Sequence, residues 1–366
     1  MRAIALIPLG FLAILYSAKA ATPSFPHPTT SPETHFLGTC VSDPDGARFA
    51  EKACYTDFYP GDSGFAPRYR SPTCTKPASQ AQKNVLAQAY VRAPNYMKAR
   101  LCRLTWLYLT AAPSWGPMGW GFWEGPDRRP DSKSIYLAIS DRELTGKKSF
   151  VDVENQTIRD LLRYRDGDRD KERGLVPLTT RANLDLELTV LGELAHELGH
   201  ALLADANMDG IKRYHPRRRV SGPPRSVCFE DAFIHASWDE TRFNRNLQRW
   251  VDFGNQYRNR PQNPNIRFSL ERLRRDVERG RFDIANRAIR DVYSSKEFVS
   301  FAAAVNPVED VVETYKYKVL ADAMAGQKVE FDLGGRDIKV FDILDSGIIE
   351  KKVKCLSDIG FLSDQP

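Results

Sequence analysis

The segment "LDLELTVLGELAHELGHALLADAN", residues 184–207, combines a helical apolar pattern with an informative motif. Its apolar side chains recur at three- and four-residue spacing, which predicts a long helix with a buried face. Within it, "HELGH" occupies residues 196–200. Because His196 and His200 are four residues apart, both imidazoles project from one face of that helix and can bind the same metal ion.

The H-E-x-x-H spacing is typical of catalytic zinc sites. Glu197 suits a water molecule beside the metal better than the metal itself, so we expect it to act as a general base. The alternative is a helix whose two histidines are satisfied by hydrogen bonds alone. Gly199 favours the metal site, because glycine inside a helix costs about 1 kcal/mol relative to alanine and only a crowded site gains from the missing side chain.

A catalytic zinc ion needs a third protein ligand. The extended pattern H-E-x-x-H-x-x-G-x-x-H is not met, because Leu203 and Ala206 stand where its glycine and third histidine would be. Residues near the motif or in later segments remain open as alternatives for this ligand: Asp205, Asp209, His215 and His235.

A better candidate for the third ligand lies in "NPVEDVVETYKYK", residues 306–318. Asn306 and Pro307 are typical of a helix start, and Glu309 and Glu313 then lie four residues apart on one face. A carboxylate from a second helix completes a zinc site, and another carboxylate can accept from the second nitrogen of a ligand histidine. We therefore predict Glu309 as a ligand and Glu313 as its supporting residue. The alternative for Glu309 is the N3 position of a capping box.

Together, the two motifs resemble those of the gluzincin branch of the zinc metallopeptidases, in which a ligand glutamate follows H-E-x-x-H on a later helix. "EDVVE" is similar to the E-x-x-x-E helix of the lethal-factor-like secreted toxin proteases, more than to the N-E-x-x-S-D form of thermolysin-like enzymes. The resemblance implies one catalytic Zn2+ held by His196, His200 and Glu309, with Glu197 as the base.

The resemblance also implies a tyrosine or histidine that stabilises the transition state. Tyr317, eight residues after Glu309, is the first candidate for this role, and Tyr315 and His235 are its rivals. The two motifs are separated by a longer interval than in many gluzincins. Residues 207–304 are therefore expected to fold as an inserted subdomain of helices and loops.

The N-terminal segment "MRAIALIPLGFLAILYSAKA", residues 1–20, has an early arginine, an apolar run and an A-x-A site. This pattern predicts a cleaved signal peptide and a secreted product; the alternative is a membrane anchor, for which the apolar run is short. Residues 21–36 are rich in proline, serine and threonine and predict a leader. Residues 37–366 are expected to form the catalytic domain.

The chain has six cysteines, and an even number after a signal peptide predicts three disulfides. We expect Cys228 to pair with Cys355. The four early cysteines are then expected to pair among themselves: Cys40, Cys54, Cys74 and Cys102. The sequon that begins at Asn155 predicts a glycan.

The charge pattern argues against nucleic acid as a partner. The net charge is +6, and most arginine-rich segments are interleaved with acids, which is typical of solvated helix faces. Only "PRRRV", residues 216–220, lacks acidic neighbours. After residue 20 no apolar run is long enough to span a bilayer, so no membrane anchor is expected in the mature chain. The oligomeric state stays open.

The expected fold class is α+β, a mostly helical zincin-like metallopeptidase with a small antiparallel sheet and a disulfide-stapled N-terminal region. A strand is predicted at residues 134–140 and a hairpin at residues 328–344 around Gly334 and Gly335. Helices are predicted at residues 78–109 with an interruption near Pro94, 150–165, 184–207, 228–236, across 269–304, after Pro307 and at 346–355.

The expected function is that of a secreted zinc metallopeptidase that hydrolyses a peptide or protein substrate. We expect the strand at residues 134–140 to present an edge to that substrate. Three alternatives remain: a non-proteolytic zinc hydrolase, a catalytically inactive zincin-fold binding or effector protein, and a disulfide-stapled structural protein in which the motif is accidental.

Overall fold

The computed structural model describes residues 43–56, 74–110, 118–124, 130–146, 148–162, 174–182, 185–206, 227–238, 270–325, 327 and 329–364. The predicted signal peptide, the leader and much of the predicted insertion lie outside these residues. The helices are α1 (Ala47–Ala50), α2 (Gln80–Arg92), α3 (Asn95–Cys102), α4 (Asp141–Thr145), α5 (Phe150–Leu162), α6 (Leu186–Ala206), α7 (Val227–Phe229), α8 (Leu270–Glu278), α9 (Phe282–Ser295), α10 (Pro307–Ala323) and α11 (Gly347–Asp358). A π-helix follows α7 at Glu230–His235, and a 3₁₀-helix precedes α11 at Asp342–Asp345.

The strands form two sheets. They are β1 (Ala53–Tyr55), β2 (Lys76–Pro77), β3 (Leu104–Thr110), β4 (Met118–Glu124), β5 (Pro130–Ser140), β6 (Leu178–Thr180), β7 (Glu330–Leu333) and β8 (Asp337–Lys339). The larger sheet has the order β2-β1-β3-β5-β4, and the smaller has the order β6-β7-β8.

The expected small antiparallel sheet is present as β6-β7-β8, whereas the larger sheet, which the sequence did not predict, is mixed. Strands β1, β3 and β5 are parallel, whereas β2 and β4 are antiparallel to their neighbours. Helices α2 and α3 lie between β1 and β3 in the chain and provide the crossover that parallel strands require. The predicted strand at residues 134–140 is confirmed within β5, but β5 lies between β3 and β4, so among the described strands the edge belongs to β4 instead.

Strand β3 replaces the end of the helix that was predicted through residue 109. Leu107 and Leu109 face the main core, while Trp106 and Tyr108 belong to a second cluster on the opposite face of the sheet. This alternation has the period of two that a strand requires. The prediction was wrong here because the apolar run also fits a buried helix, and aromatic residues favour a strand.

Most other predicted elements are confirmed within the described residues. Helix α2 ends before Pro94 and α3 begins after it, and helices α5, α6, α8, α9 and α11 lie in the predicted segments. The hairpin is present, and positive φ angles of 64° at Gly334 and 84° at Gly335 explain its two glycines. In the part of the chain that is described, no helix is long and apolar enough to cross a membrane.

Two disulfides are present among the described cysteines. Cys54 pairs with Cys74, and Cys228 pairs with Cys355, as predicted. The second links α7 to α11, which are far apart in sequence. Cys40 lies outside the described residues. The two bonds are typical of proteins from oxidising compartments.

Helices α6 and α10 pack closely because two glycines of α6 face α10. A Cβ atom built on Gly199 would lie 3.3 Å from Val312 Cγ1 and 3.4 Å from its Cα, and one on Gly192 would lie 3.3 Å from Leu320 Cδ1. The missing side chains thus permit a short distance between the helices that carry the two motifs, so Gly199 is explained by helix packing and not, as expected, by a crowded metal site.

Candidate metal centre

The regular turn of α6 brings its two histidines together. The Nε2 atoms of His196 and His200 lie 3.3 Å apart, and the ring planes are inclined at 80°. His200 is buried, whereas the side chain of His196 is 25% exposed. The pair therefore lies at the border of the core, with part of His196 accessible to solvent.

Helix α10 directs the carboxylate of Glu309 to the same point. One oxygen, Oε2, lies 3.7 Å from Nε2 of His196, and the other, Oε1, lies 3.6 Å from Nε2 of His200. Asn306 caps the helix by accepting from the backbone N–H of Glu309 at 2.9 Å. The cap thus uses the backbone of Glu309 and leaves its side chain to face the histidines. Among the described residues, these three side chains form the group whose ligand atoms could hold a metal ion.

The separations between these atoms fit a tetrahedral zinc ion. Two ligands at about 2.0–2.1 Å from such an ion lie about 3.3–3.4 Å from each other. The observed separations of 3.3, 3.6 and 3.7 Å match that value to within a few tenths of an ångström. Two imidazoles and one carboxylate are also a ligand set that zinc prefers. The residues present therefore fit the ion.

Glu313 fixes the orientation of His196. Its Oε1 atom lies 2.7 Å from Nδ1 of His196, and its Oε2 atom accepts from Oγ of Ser300 at 2.7 Å. A carboxylate acceptor at Nδ1 favours the tautomer whose Nε2 carries a free lone pair. Nε2 faces His200 and Glu309, so the lone pair of the neutral ring would point toward the metal position.

Two charged residues that the sequence did not single out continue the contacts into the core. Nζ of Lys316 lies 2.6 Å from Glu154 and 3.0 Å from Glu313, and all three side chains are buried. The hydroxyl of Tyr293 donates to Glu154 at 3.4 Å. One signal was present in the sequence: Lys316 is three residues after Glu313, on a helix that is otherwise mostly apolar.

The electrostatics of the centre are dominated by burial and by the clustered carboxylates. Burial disfavours the charged imidazole of His196, but the hydrogen bond and charge of Glu313 outweigh it and raise the pKa to about 9. Burial raises the pKa of Glu309 to about 7 against the opposing effect of His196. Burial alone would raise the pKa of Glu313, yet Lys316 and His196 bring it below its usual value. Metal binding would therefore displace a proton from His196.

Glu197 lies close to these ligands. Its negative charge contributes to the raised pKa values of both His196 and Glu309. The side chain is partly exposed, unlike the charged residues deeper in the network. A carboxylate in this position can contact a water molecule beside the metal ligands.

The structure argues against the candidates for transition-state stabilisation on α10. Tyr317 is fully buried and packs against Phe150 and Phe341, so it has no surface with which to contact a substrate. Tyr315 is also fully buried. His235 is exposed on the π-helix and does not belong to the metal-ligand group.

The remaining predicted sites have different outcomes. Asp209 and His215 lie outside the described residues, as does the side chain of Asp205. Asn155 is buried and exchanges two hydrogen bonds of 2.8 Å with the backbone of Leu178. The glycan prediction is therefore wrong for the folded chain, because a glycan needs an exposed amide.

Comparisons of this chain with family models, curated proteins and solved structures found no match. The case for a function therefore rests on the chemistry of the centre.

Proposed function

We propose that the chain is a secreted zinc-dependent metallopeptidase that hydrolyses peptide bonds. The observation that carries this proposal is the convergence of two imidazole nitrogens and the carboxylate of Glu309 on one point. Hydrogen bonding between the two histidines would not require Glu309 to face both of them. A catalytic centre with three protein ligands and an open fourth position explains the arrangement more completely.

The residues of the centre have separate roles in the proposed reaction. His196, His200 and Glu309 would hold zinc, which would supply a water molecule of lowered pKa and a positive charge that polarises a carbonyl group. Glu197 accepts a proton from the attacking water and delivers it to the leaving amine. Glu313 holds His196 in the tautomer and orientation that ligation requires.

The larger sheet offers a means of binding an extended peptide. Within the described residues, β4 is the last strand of the sheet and pairs only with β5. It also contacts α6, the helix that carries the two histidines. An extended substrate can add to such an edge through backbone hydrogen bonds. This support favours a peptide over a small non-peptide substrate.

Secretion is part of the proposal and rests on two observations. Residues 1–20 have the pattern of a signal peptide, and two disulfides are present among the described residues. Both are expected of a protein that acts outside the cell.

The proposal is tested with the zinc-loaded secreted protein and a fluorogenic peptide library. We expect cleavage that a chelator abolishes and added Zn2+ restores. Glu197→Gln should keep zinc and lose about 100- to 10,000-fold in rate, because it removes the general base. Cleavage that is unchanged in Glu197→Gln would contradict the mechanism. Hydrolysis of esters but of no peptide would show a non-proteolytic hydrolase instead.

A further inference from the structure

A continuous series of buried polar contacts leads from the metal centre into the core. It starts at Nδ1 of His196, passes through Glu313 and Lys316, and ends at Glu154 on α5. The distances along it are 2.7, 3.0 and 2.6 Å. The series thus connects three helices through groups that have little access to water.

The lysine in this series serves two carboxylates at once. Glu154 and Glu313 are both 1% exposed, and Lys316 contacts both of them. Without its ammonium group, two buried negative charges would face each other without a cation between them. Such charges repel strongly in a medium of low dielectric constant. The position of Glu313 therefore depends on Lys316 as well as on its contacts with His196 and Ser300.

Stability alone does not account for this arrangement. Burying a lysine and two carboxylates is costly, and well-packed apolar residues often stabilise a core as well or better. The contact with His196 gives the network a purpose that apolar residues could not serve, because only an acceptor can hold the Nδ1–H group.

We propose that Lys316 is a positioning residue for the metal centre, which holds Glu313 in place so that His196 presents Nε2 to the metal. This inference rests on the proposed zinc site and extends it to a residue that contacts none of the ligands itself. Glu154 anchors the ammonium group from the opposite side. Zinc affinity should consequently depend on a residue separated from the metal by two side chains.

The experiment compares Lys316→Met with Lys352→Met. Lys352 is a fully buried lysine whose carboxylate partner is Asp310 instead of the residue that holds His196. Both changes remove one buried ammonium group and keep a similar side-chain volume. Zinc dissociation constants are measured by chelator competition on the folded proteins, and the absorption spectrum of bound Co2+ reports the geometry of the ligands.

We expect Lys316→Met to weaken zinc binding by about 10- to 100-fold, which is the usual effect of losing an outer partner of a metal-binding histidine. The Co2+ spectrum should change as well. Lys352→Met should alter the dissociation constant by less than about threefold, since Lys352 contacts Asp310 and Glu297 and not the side chain that holds His196. If Lys316→Met does not fold, the double variant Glu154→Gln with Lys316→Met removes the ammonium group together with the charge of Glu154. It is expected to show the same weakening of zinc binding.

Three outcomes would overturn the inference or its basis. Wild-type affinity and an unchanged Co2+ spectrum in folded Lys316→Met or the double variant would refute the role of Lys316 alone. Equal weakening in Lys352→Met would show that any buried lysine on these helices has the effect. A wild-type protein that binds no zinc would refute the metal centre itself. Normal zinc binding without peptide hydrolysis would refute only the proposed function and leave the positioning role supported by the variants.

Discussion

Helix α10 takes part in two buried clusters of lysine and carboxylate that differ in what they hold. In one, Lys352 on α11 donates to both oxygens of Asp310 at 2.9 and 2.7 Å and to the backbone oxygen of Glu297 at 2.7 Å. Trp238 also donates to Asp310, at 3.2 Å. In the other, Lys316 contacts Glu313, whose carboxylate also holds His196.

The difference shows that the same chemistry can serve structure at one position of a helix and a functional centre three residues later. The contacts of Asp310 end on groups of the core, so they fix α11 against α10. The contacts of Glu313 end on a candidate metal ligand. We therefore expect changes in the first cluster to reduce stability alone, and changes in the second to reduce metal affinity as well as stability.

Among changes outside the metal centre, the largest effect on stability is expected from Lys352→Met. It leaves Asp310 buried without a cation, and breaking a buried ion pair from one side costs about 3–5 kcal/mol. The free energy of unfolding from urea titration measures this loss. A loss below about 1 kcal/mol, the value of an exposed ion pair, would show that Asp310 reaches water.

A somewhat smaller effect is expected from replacing Cys228 and Cys355 with serine. The disulfide closes a loop across 127 residues and links α11 to α7, and removal of such a bond typically costs about 2–4 kcal/mol. The free energy of unfolding should decrease by this amount, while the zinc affinity of the folded protein should stay the same. Loss of zinc binding in the folded double variant would mean that the packing of α11 also controls the centre.

A buried carboxylate that lacks the lysine partner of the two clusters should make the stability of the protein depend on pH. Glu193 on α6 is buried, and its two carboxyl oxygens have no hydrogen-bond partner among the described residues. Burial, with the nearby charge of Glu143, raises its pKa well above the ordinary value of 4.5. Its contribution to stability is therefore present below pH 4.5 and is lost as the pH rises.

Glu193→Gln cannot ionise, so its stability relative to the wild type should increase as the pH rises above 4.5. We expect an advantage of about 1–2 kcal/mol near neutral pH, the scale on which unpaired buried polar groups act. Urea titrations between pH 4 and pH 8 measure the trend. A difference that does not vary with pH would show that Glu193 titrates normally.

The smallest effect on stability is expected when Asp310 and Lys352 both become apolar. Asp310→Leu combined with Lys352→Met should unfold within about 1 kcal/mol of the wild type, because apolar residues can replace a buried ion pair without loss. The matching change of Glu313→Leu with Lys316→Met should keep the fold yet bind zinc poorly, since no acceptor for His196 remains. Full zinc affinity in the second double variant would remove the distinction between the clusters.

The sequence predicted the side chains that share a helix face, because helical geometry fixes such positions locally. The four-residue spacings of His196 and His200 and of Glu309 and Glu313 were sufficient to place each pair on one face. The cap at Asn306 was also readable from local chemistry. These features need no knowledge of how distant segments pack.

Features that depend on packing between distant segments were not predictable. Nothing in the sequence around Glu154 or Ser300 indicates that these residues meet Lys316 and Glu313. The parallel strands of the larger sheet and the burial of Asn155 and Tyr317 also follow from tertiary contacts. The strand β3 was predicted as a helix because its apolar run fits both elements locally.

The metal content of the purified protein tests the central claim most directly. We predict one zinc ion per chain in the wild type by elemental analysis, one in Glu197→Gln, and none in Glu309→Ala. A wild-type protein without stoichiometric zinc, or Glu309→Ala with the full complement, would contradict the proposed centre of His196, His200 and Glu309.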